Sequence, residues 1–504
     1  MSFIDSSSMV YILVGLTLLL LFTLIQVLLP SSKPDTNTLP PPPSPPRLPI
    51  IGNFHQVGSS PHRSLAALSS QYGPLMLLHL GQKKALIVSS AHAAAQVLKT
   101  HDLAFCDRPK SVITAKLMYN YKDVASAPYG EFWRQIRSLC VLQLLSAKRV
   151  QSFRSVREEE TYNMMERIGQ SCLKSEPIDL SETLMGLTNN VVCRVALGRK
   201  YNDRSFKNLL SKFIVFLGRF NLADFVPWLN WIHKLDGLDA EVDRTAKDLD
   251  EFLDQVIEDH RMDEETEPKR ERDFVDVLLG VQKETQSLDM DSIKGIILDM
   301  FAAGTDTTSS VLEWVMTELL RHPEVMSKLQ DEVRRQRKHD FLKEEDLTNL
   351  EYLKAVIKET LRLHPSVPLL VPHEARQAVR LMGCDVAAGT RVFINAWAIG
   401  RDPASWEEPE RFLPERFLKS EGESVGQDYR FIPFGAGRRG CPGIAFAMAV
   451  DEIALANLVN KFNWRLPGDG RCEDLDVDET SGLTIHRKHP LIAVATPEAH
   501  SISG

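Results

Sequence analysis

Apolar residues recurring three and four apart dominate most of this 504-residue chain. Segments near 131–145, 156–173, 181–197, 240–260, 291–321, 323–337, 350–363 and 443–461 carry that helical period or are apolar all round. Shorter strand-like runs stand at LMLLHL (75–80), KALIVSS (84–90) and VRLMGCDVAAGTRVFINAWAI (379–399). No internal repeat breaks the picture, so the pattern predicts a mainly α fold with a small β-sheet region. The charge-dense stretch DHRMDEETEPKRERD (259–273) is expected to be a solvated loop.

The N-terminus is different. From Met9 to Leu29 the run MVYILVGLTLLLLFTLIQVLL holds no charge. As a helix it spans roughly 30 Å, the thickness of a bilayer's hydrocarbon. No small-x-small cleavage site follows, so a single-pass anchor fits better than a signal peptide. Asp5 precedes the run while Lys33 and Arg47 follow it, which leaves the remainder on the cytosolic side. LPPPPSPPRLPIIGN (39–53) is expected as a stiff polyproline spacer, with an SH3-type ligand as the alternative. The resulting division is an anchor over 1–30, a proline-rich hinge over 31–53 and one large domain over 54–504.

Composition narrows the function. Hydrophobic content of 43% and charged content of 25% are those of a globular protein. A net charge of −8, from 59 basic and 67 acidic side chains, leaves no footprint for nucleic acid. Seven cysteines, odd in number and without a CxxC pair, indicate a reducing compartment.

One cysteine has unusual company. In PFGAGRRGCPG (433–443), Gly435, Gly437 and Gly440 satisfy GxGxxG, but the helix that follows runs to about Phe462 and only a short tail remains. No second strand with its acid can complete a dinucleotide fold, so that reading fails. As a metal ligand, Cys441 would need a deprotonated, rigidly held sulfur. Glycines let a backbone pass close to a flat ligand, Pro442 suits a first helical position, and the helix aims its positive end at the sulfur. A second oddity is MFAAGTDTTSS (300–310), where a glycine and a cluster of hydroxyl and acidic residues weaken a helix interior. Either the helix is distorted there for a purpose, or Ser310 and Glu313 form a capping box. In KETLRLHP, Glu359 and Arg362 share a helix face, where an exposed pair contributes only about 0.2–0.5 kcal/mol.

The pattern Phe434-x-x-Gly437-x-Arg439-x-Cys441-x-Gly443 resembles the haem-binding loop of the cytochrome P450 family. The likeness extends from the N-terminal run to SGLTIHRKHPL near the end, and its AGTDTT and FGAGRRGCPG forms look most like the plant A-type, family 71-like group. This resemblance implies the cytochrome P450 fold and haem b, iron protoporphyrin IX, with Cys441 as the axial thiolate and sole protein ligand of the metal. It implies that Phe434, Gly437 and Gly443 shape the loop, and that Trp133, Arg137, His373 and Arg439 meet the haem propionates. Ala303 and Gly304 would make room for dioxygen, with Asp306 and Thr307 relaying protons. Glu359 and Arg362 would be joined by Arg416 of PERF in a network that braces the cysteine loop.

Substrate would be met from four places. They are the loop beginning at Val112; Phe301, Ala302, Ala303 and Thr305; Val367, Leu370 and Val371; and Leu483 with Thr484. The resemblance further implies attachment to the endoplasmic reticulum membrane. Electrons would come from NADPH through NADPH-cytochrome P450 reductase, with cytochrome b5 as a further candidate donor. One atom of dioxygen would enter a small apolar plant metabolite: a phenylpropanoid or coumarin, a terpenoid, an alkaloid or an amino-acid derivative. Two other readings stay open, a same-fold aldoxime dehydratase or isomerase and a non-catalytic haem binder. The retained Asp306 and Thr307 weigh against both.

Overall fold

Two apolar runs fold back on one another at Gly81, whose φ of +58° suits the tight turn. They form strands β1 (Leu75–Leu80) and β2 (Lys83–Val88), paired antiparallel from Leu75 opposite Val88 to Leu80 opposite Lys83. The computed structural model that shows this describes residues 11, 13–22, 39–201, 204–219, 221–229, 236–266, 272–285, 288–337, 339–418, 428–468 and 470–498. Strands β3 (His373–Glu374) and β4 (Arg391–Ile394) complete the sheet in the order β1-β2-β4-β3, with β2 and β4 parallel. The long strand-like run at 379–399 therefore divides. It gives a hairpin of Val379–Leu381 with Cys384–Val386, then β4, then a short helix at Ala396–Ile399. A second sheet joins β5 (Phe462–Arg465) to β6 (Ile492–Pro497), which also pairs with a short strand at Ile178–Asp179.

Helices make up the rest. Those that position the site are α1 (Glu131–Leu139), α2 (Arg154–Leu173), α3 (Leu180–Leu197), α4 (Met290–Arg321), α5 (Glu351–Leu363) and α6 (Ile444–Lys461). Helix α4 has 32 residues, starts where Asp289 accepts the Ser292 N–H, and packs against α3, α5 and α6. Helix α6 is apolar almost all round because it is buried almost all round, Ile453 to Asn460 being inaccessible. Further helices at Pro61–Tyr72, Arg204–Gly218 and Phe274–Thr285 were not foreseen from periodicity.

Several expectations are corrected. The charge-dense 259–273 stretch is not a loop at its start, because a helix from Leu238 continues through Thr266. His260 and Asp273, both in that stretch, are buried and bonded to one another at 2.9 Å. YRFIPF (429–434), strand-like in its residues, forms turns and irregular backbone before the cysteine loop instead of a strand. The proline-rich segment is no free spacer: Pro43 O accepts the Leu77 N–H of β1 at 2.8 Å, Pro40 O accepts Asp385 N–H at 3.1 Å, and the Asn53 amide reaches Pro45 O and Pro46 O. Bonds thus cross the expected boundary at 54. Residues 13–22 are helical with exposed apolar side chains, and the expected anchor's remaining residues lie outside the described ones. Among the described residues no helix is long and apolar enough to cross a membrane.

Candidate active site

The cysteine loop is held by backbone. Cys441 N–H bonds Phe434 O at 2.9 Å and Gly440 N–H bonds Gly437 O at 3.1 Å. Gly437 has φ +70°, and a Cβ there would lie 2.4 Å from Leu98 O, so no other residue fits. Gly443 is the N-cap of α6, which puts Pro442 one position before the cap instead of at the first helical position. The Gly443 N–H points at Cys441 Sγ, 3.3 Å away, and Arg137 of α1 clamps the loop through Gly440 O at 2.6 Å. Cys441 lies deep in the protein yet has accessible surface, because what it faces is a cavity. Burial raises its thiol pKa, and the Gly443 N–H and Arg137 offset this only in part. The surroundings alone therefore do not ionise the sulfur as the loop pattern led us to expect; an opposite charge bonded to it would.

That cavity encloses about 330 Å³ between α4, the cysteine loop and the chain's C-terminal segment. Ala302, Ala303, Asp306 and Thr307 line it from α4, and Val367, Leu370 and Val371 from the segment after α5. Leu483 and Thr484 close one side. Phe301 and Thr305 do not reach it. They lie one turn apart on the far face of α4, where Phe301 is buried against the Phe206 ring at 5.6 Å. Val112 is exposed and lines a separate open cleft with Tyr121. Gly304 lines the cavity as well and also serves packing, since a Cβ there would lie 3.0 Å from Val192 on α3. Outside the cavity, the helix ending at Gly218 comes so close to the C-terminal segment that an added Cβ would sit 2.7 Å from the Leu483 N.

One end of the cavity wall is cationic. Arg137, Arg439 and Arg108 line it together with Trp133 and His373. Sequence reasoning missed Arg108, an isolated basic residue in FCDRP whose burial no periodicity reveals. Its guanidinium is tied to Ala125 O, Val371 O and Pro372 O at 3.0, 2.7 and 2.9 Å. Arg439 bonds Cys106 O at 2.8 Å and Ala127 O at 2.6 Å, and stacks on the Trp133 ring at 4.2 Å. The Trp133 N–H is taken by Val124 O at 3.0 Å. Burial and the neighbouring guanidinium push Arg108 down to about 9, and burial pushes Arg439 down to about 10, so both stay charged at neutral pH. His373 is held well below its usual range by burial and then by Arg108, which leaves it neutral with Nδ1 at 2.9 Å from Phe105 O.

Two of the acids on the wall, Asp299 and Asp451, do not balance these charges. Burial drives Asp299 and Asp451 towards the neutral acid. Asp299 is further raised by Asp123 and accepts the Val124 and Ala125 N–H groups at 2.6 and 3.2 Å. Both Asp451 oxygens and the Thr308 hydroxyl lack a partner. The wall therefore suits an anionic group with a flat apolar body and a cation for the sulfur.

Helix α4 stays helical through 303–307, so the expected distortion is no break. The Thr307 hydroxyl, on the cavity side, bonds Ala303 O at 2.5 Å, and Ser366 Oγ bonds Thr307 O at 3.0 Å. Ser310 starts no helix; its hydroxyl donates to Ile485 O at 2.8 Å. Asp306 Oδ1 lies 3.0 Å from His486 Nε2, a partner 180 residues away in the chain.

Behind the loop, Glu359 takes Arg362 through two bonds of 2.7 and 2.8 Å and Arg416 Nε at 3.0 Å. Arg362 also donates to Gly400 O, Pro409 O and Arg411 O, which strings α5 to the segment leading into the cysteine loop. Trp406 lies beneath the guanidiniums of both arginines.

This arrangement agrees with the comparisons. The family model "Cytochrome P450" matches residues 42–494. "Cytochrome P450 736A117" of Prunus mume is 56% identical, the match covering 98% of this chain and 97% of that protein. "Cytochrome P450 71A4" of Solanum melongena is 52% identical over 97% and 98% of the two chains. "Norfluorocurarine oxidase" of Strychnos sp is 50% identical over 90% and 91%. A solved zebra fish cytochrome P450 with progesterone superposes with a TM-score of 0.74 at 28% identity, over 87% of this chain and 99% of that one. The chain belongs to the cytochrome P450 family. It is a plant-type P450 monooxygenase, and the family's cofactor is haem held by a cysteine thiolate, with electrons supplied by a redox partner. The sulfur at the cavity floor and the three guanidiniums at its edge fit a porphyrin with two carboxylates.

Proposed function

We propose that this protein hydroxylates or otherwise oxidises a small, largely apolar plant specialised metabolite in the α4 cavity. Cys441 would hold the haem iron, and Arg137, Arg439 and Arg108 would hold the propionates. When bound, haem supplies dioxygen activation, its thiolate favouring O–O cleavage. The chain's own part is positioning and proton control. Ala302, Ala303, Leu370, Val371 and Leu483 exclude water from the reacting face and orient an apolar ligand through shape. The Thr307 hydroxyl, with Asp306 one residue before it, holds a proton at the cavity surface. Neutral His373 acts as a hydrogen-bonding group, not a charge.

Electrons would come from NADPH through NADPH-cytochrome P450 reductase, with cytochrome b5 as a further donor. The run over residues 9–29 would tether a single catalytic domain to the endoplasmic reticulum membrane. Relatives in the comparison include one named norfluorocurarine oxidase, which supports an oxidative reaction on a small molecule.

The observation that carries this reading is Cys441 Sγ opening into an apolar cavity that Thr307 also lines, with the buried Arg108 and Arg439 and the half-buried Arg137 on its wall. The test is a carbon-monoxide difference spectrum of the reduced protein in membranes, with Cys441→Ala beside it. A thiolate-type band in the parent and none in the variant is expected; a variant that keeps haem and the band overturns the assignment. Spectral titration with phenylpropanoids, coumarins, terpenoids, alkaloids and amino-acid derivatives, followed by product analysis, then identifies the substrate.

A further inference from the structure

The C-terminal segment does more than close the cavity. Between Glu479 and Arg487 it forms a loop tied across its neck, where Thr480 and His486 exchange backbone and hydroxyl bonds of 2.9 to 3.3 Å. The loop is riveted to α4: Ile485 O accepts the Ser310 hydroxyl at 2.8 Å and the Trp314 N–H at 3.2 Å. Ile485 N–H in turn bonds Ser366 O at 2.9 Å, and Ser366 Oγ bonds Thr307 O. These bonds hold one side chain, His486, against one face of α4.

There its Nε2 meets Asp306 Oδ1 at 3.0 Å and its Nδ1 approaches Glu313 Oε2 at 3.5 Å. Glu313 is buried and itself held by the Arg487 N–H and the Ser181 hydroxyl. Two carboxylates on α4 thus converge on one imidazole. The other charged neighbour is Arg487 on the loop itself, whose guanidinium faces Glu313, Asp476, Arg321 and Glu318. His486 keeps 23% of its side chain accessible, whereas Asp306 keeps 11% and borders the cavity. An imidazole between solvent and a cavity-lining acid can do what neither neighbour can: carry charge inward and be recharged from outside.

We infer that His486 is a positioning residue for the reaction, holding Asp306 through Nε2–H and recharging it with protons drawn from solvent. This rests on the relay role proposed for Asp306 and Thr307. One proton passes from His486 Nε2 to Asp306 Oδ1 each time Asp306 gives one up towards the Thr307 hydroxyl. The neutral imidazole then takes a proton from water, so charge is restored and no electrons move. Burial alone would lower the His486 pKa, but the bonds to Asp306 and Glu313 outweigh it and raise it to about 9. The imidazole is therefore charged at neutral pH.

The test uses the haem-loaded full chain in nanodiscs with reductase, NADPH and dioxygen, without added substrate. The fraction of oxygen released as peroxide and the solvent deuterium isotope effect on NADPH consumption are measured from pH 6 to 10. The wild type is expected to show a rise in peroxide fraction centred near pH 9. His486→Gln should keep its carbon-monoxide band, lose that pH step and raise the peroxide fraction at neutral pH by about twofold or more. His486→Lys should restore part of the loss and move the step to higher pH.

Asp306→Asn separates the two claims. If it changes peroxide fraction and isotope effect while His486→Gln changes neither, the His486 inference is overturned and the relay stands. If Asp306→Asn also changes neither, the relay falls and the inference with it. Should His486→Gln fail to retain haem, NMR titration of the His486 imidazole in the holoprotein decides instead. Its midpoint must fall in Asp306→Asn and in Glu313→Gln, and an unmoved midpoint overturns the inference.

Discussion

Glu359 and Arg362 meet through two bonds, at 2.7 and 2.8 Å, and neither side chain reaches solvent. In water this pair would contribute little. Enclosed and shared with Arg416, it becomes costly to break, because removing one partner strands a buried charge.

Glu359→Gln is therefore expected to lose roughly 3–5 kcal/mol of stability. Arg362→Lys is expected to fail similarly, since an ammonium cannot serve the carboxylate and three carbonyls from one plane. Denaturant unfolding and haem content of the purified variants check both. A Glu359→Gln protein with parental midpoint and full haem would show that the network does not brace the loop.

Gly437→Ala places a methyl 2.4 Å from Leu98 O and 2.9 Å from Asp102 Oδ1 at φ +70°. Strain of this kind costs on the order of 1–3 kcal/mol. The expected outcome is protein that expresses but retains less haem, measured by pyridine haemochrome content. Gly443→Ala should be milder, because its Cβ would meet only Cys441 Sγ at 3.8 Å.

Thr307→Ala is expected to keep its haem and its carbon-monoxide band while releasing more peroxide per NADPH consumed. The hydroxyl at 2.5 Å from Ala303 O is lost without disturbing packing, since the residue faces the cavity. Unchanged peroxide yield would remove Thr307 from proton delivery.

Stability should depend on pH at both ends. The His486 pKa rises from 6.5 to about 9 on folding, so its contribution is complete below about 6.5 and lost as pH climbs through 9. That shift corresponds to roughly 3 kcal/mol. Glu479 behaves oppositely: burial would raise it, but its bonds to His62 and Arg63 hold it down at about 2. Its contribution is present above the unfolded value of 4.5 and disappears as pH falls through 2. Melting temperatures of wild type and His486→Gln should differ near pH 6 and converge above pH 9. A constant gap across that range would contradict the ion pair.

Periodicity revealed most of the helical frame but missed the helices at Pro61–Tyr72, Arg204–Gly218 and Phe274–Thr285. The eight helical segments it marked are helical, because each buries a continuous apolar face or is buried throughout. The cysteine loop was legible because short-range glycine geometry writes itself into neighbouring residues. Long-range partners leave no such trace: nothing near Arg108 announces that it joins Arg137 and Arg439, and nothing near Asp306 points to His486. Phe301 and Thr305 were misplaced although helix geometry alone puts them away from Ala303 and Thr307. The 259–266 error arose because a run of charges looks the same on an exposed helix face as in a loop.

Gly218 touches nothing in the cavity, yet its missing side chain lets the helix it ends press within van der Waals range of the Leu483 backbone. Any bulk added there must push Leu483 inward or lift the helix outward. New selectivity in a gene descended from this one could begin with a substitution that no inventory of ligand-touching positions would contain.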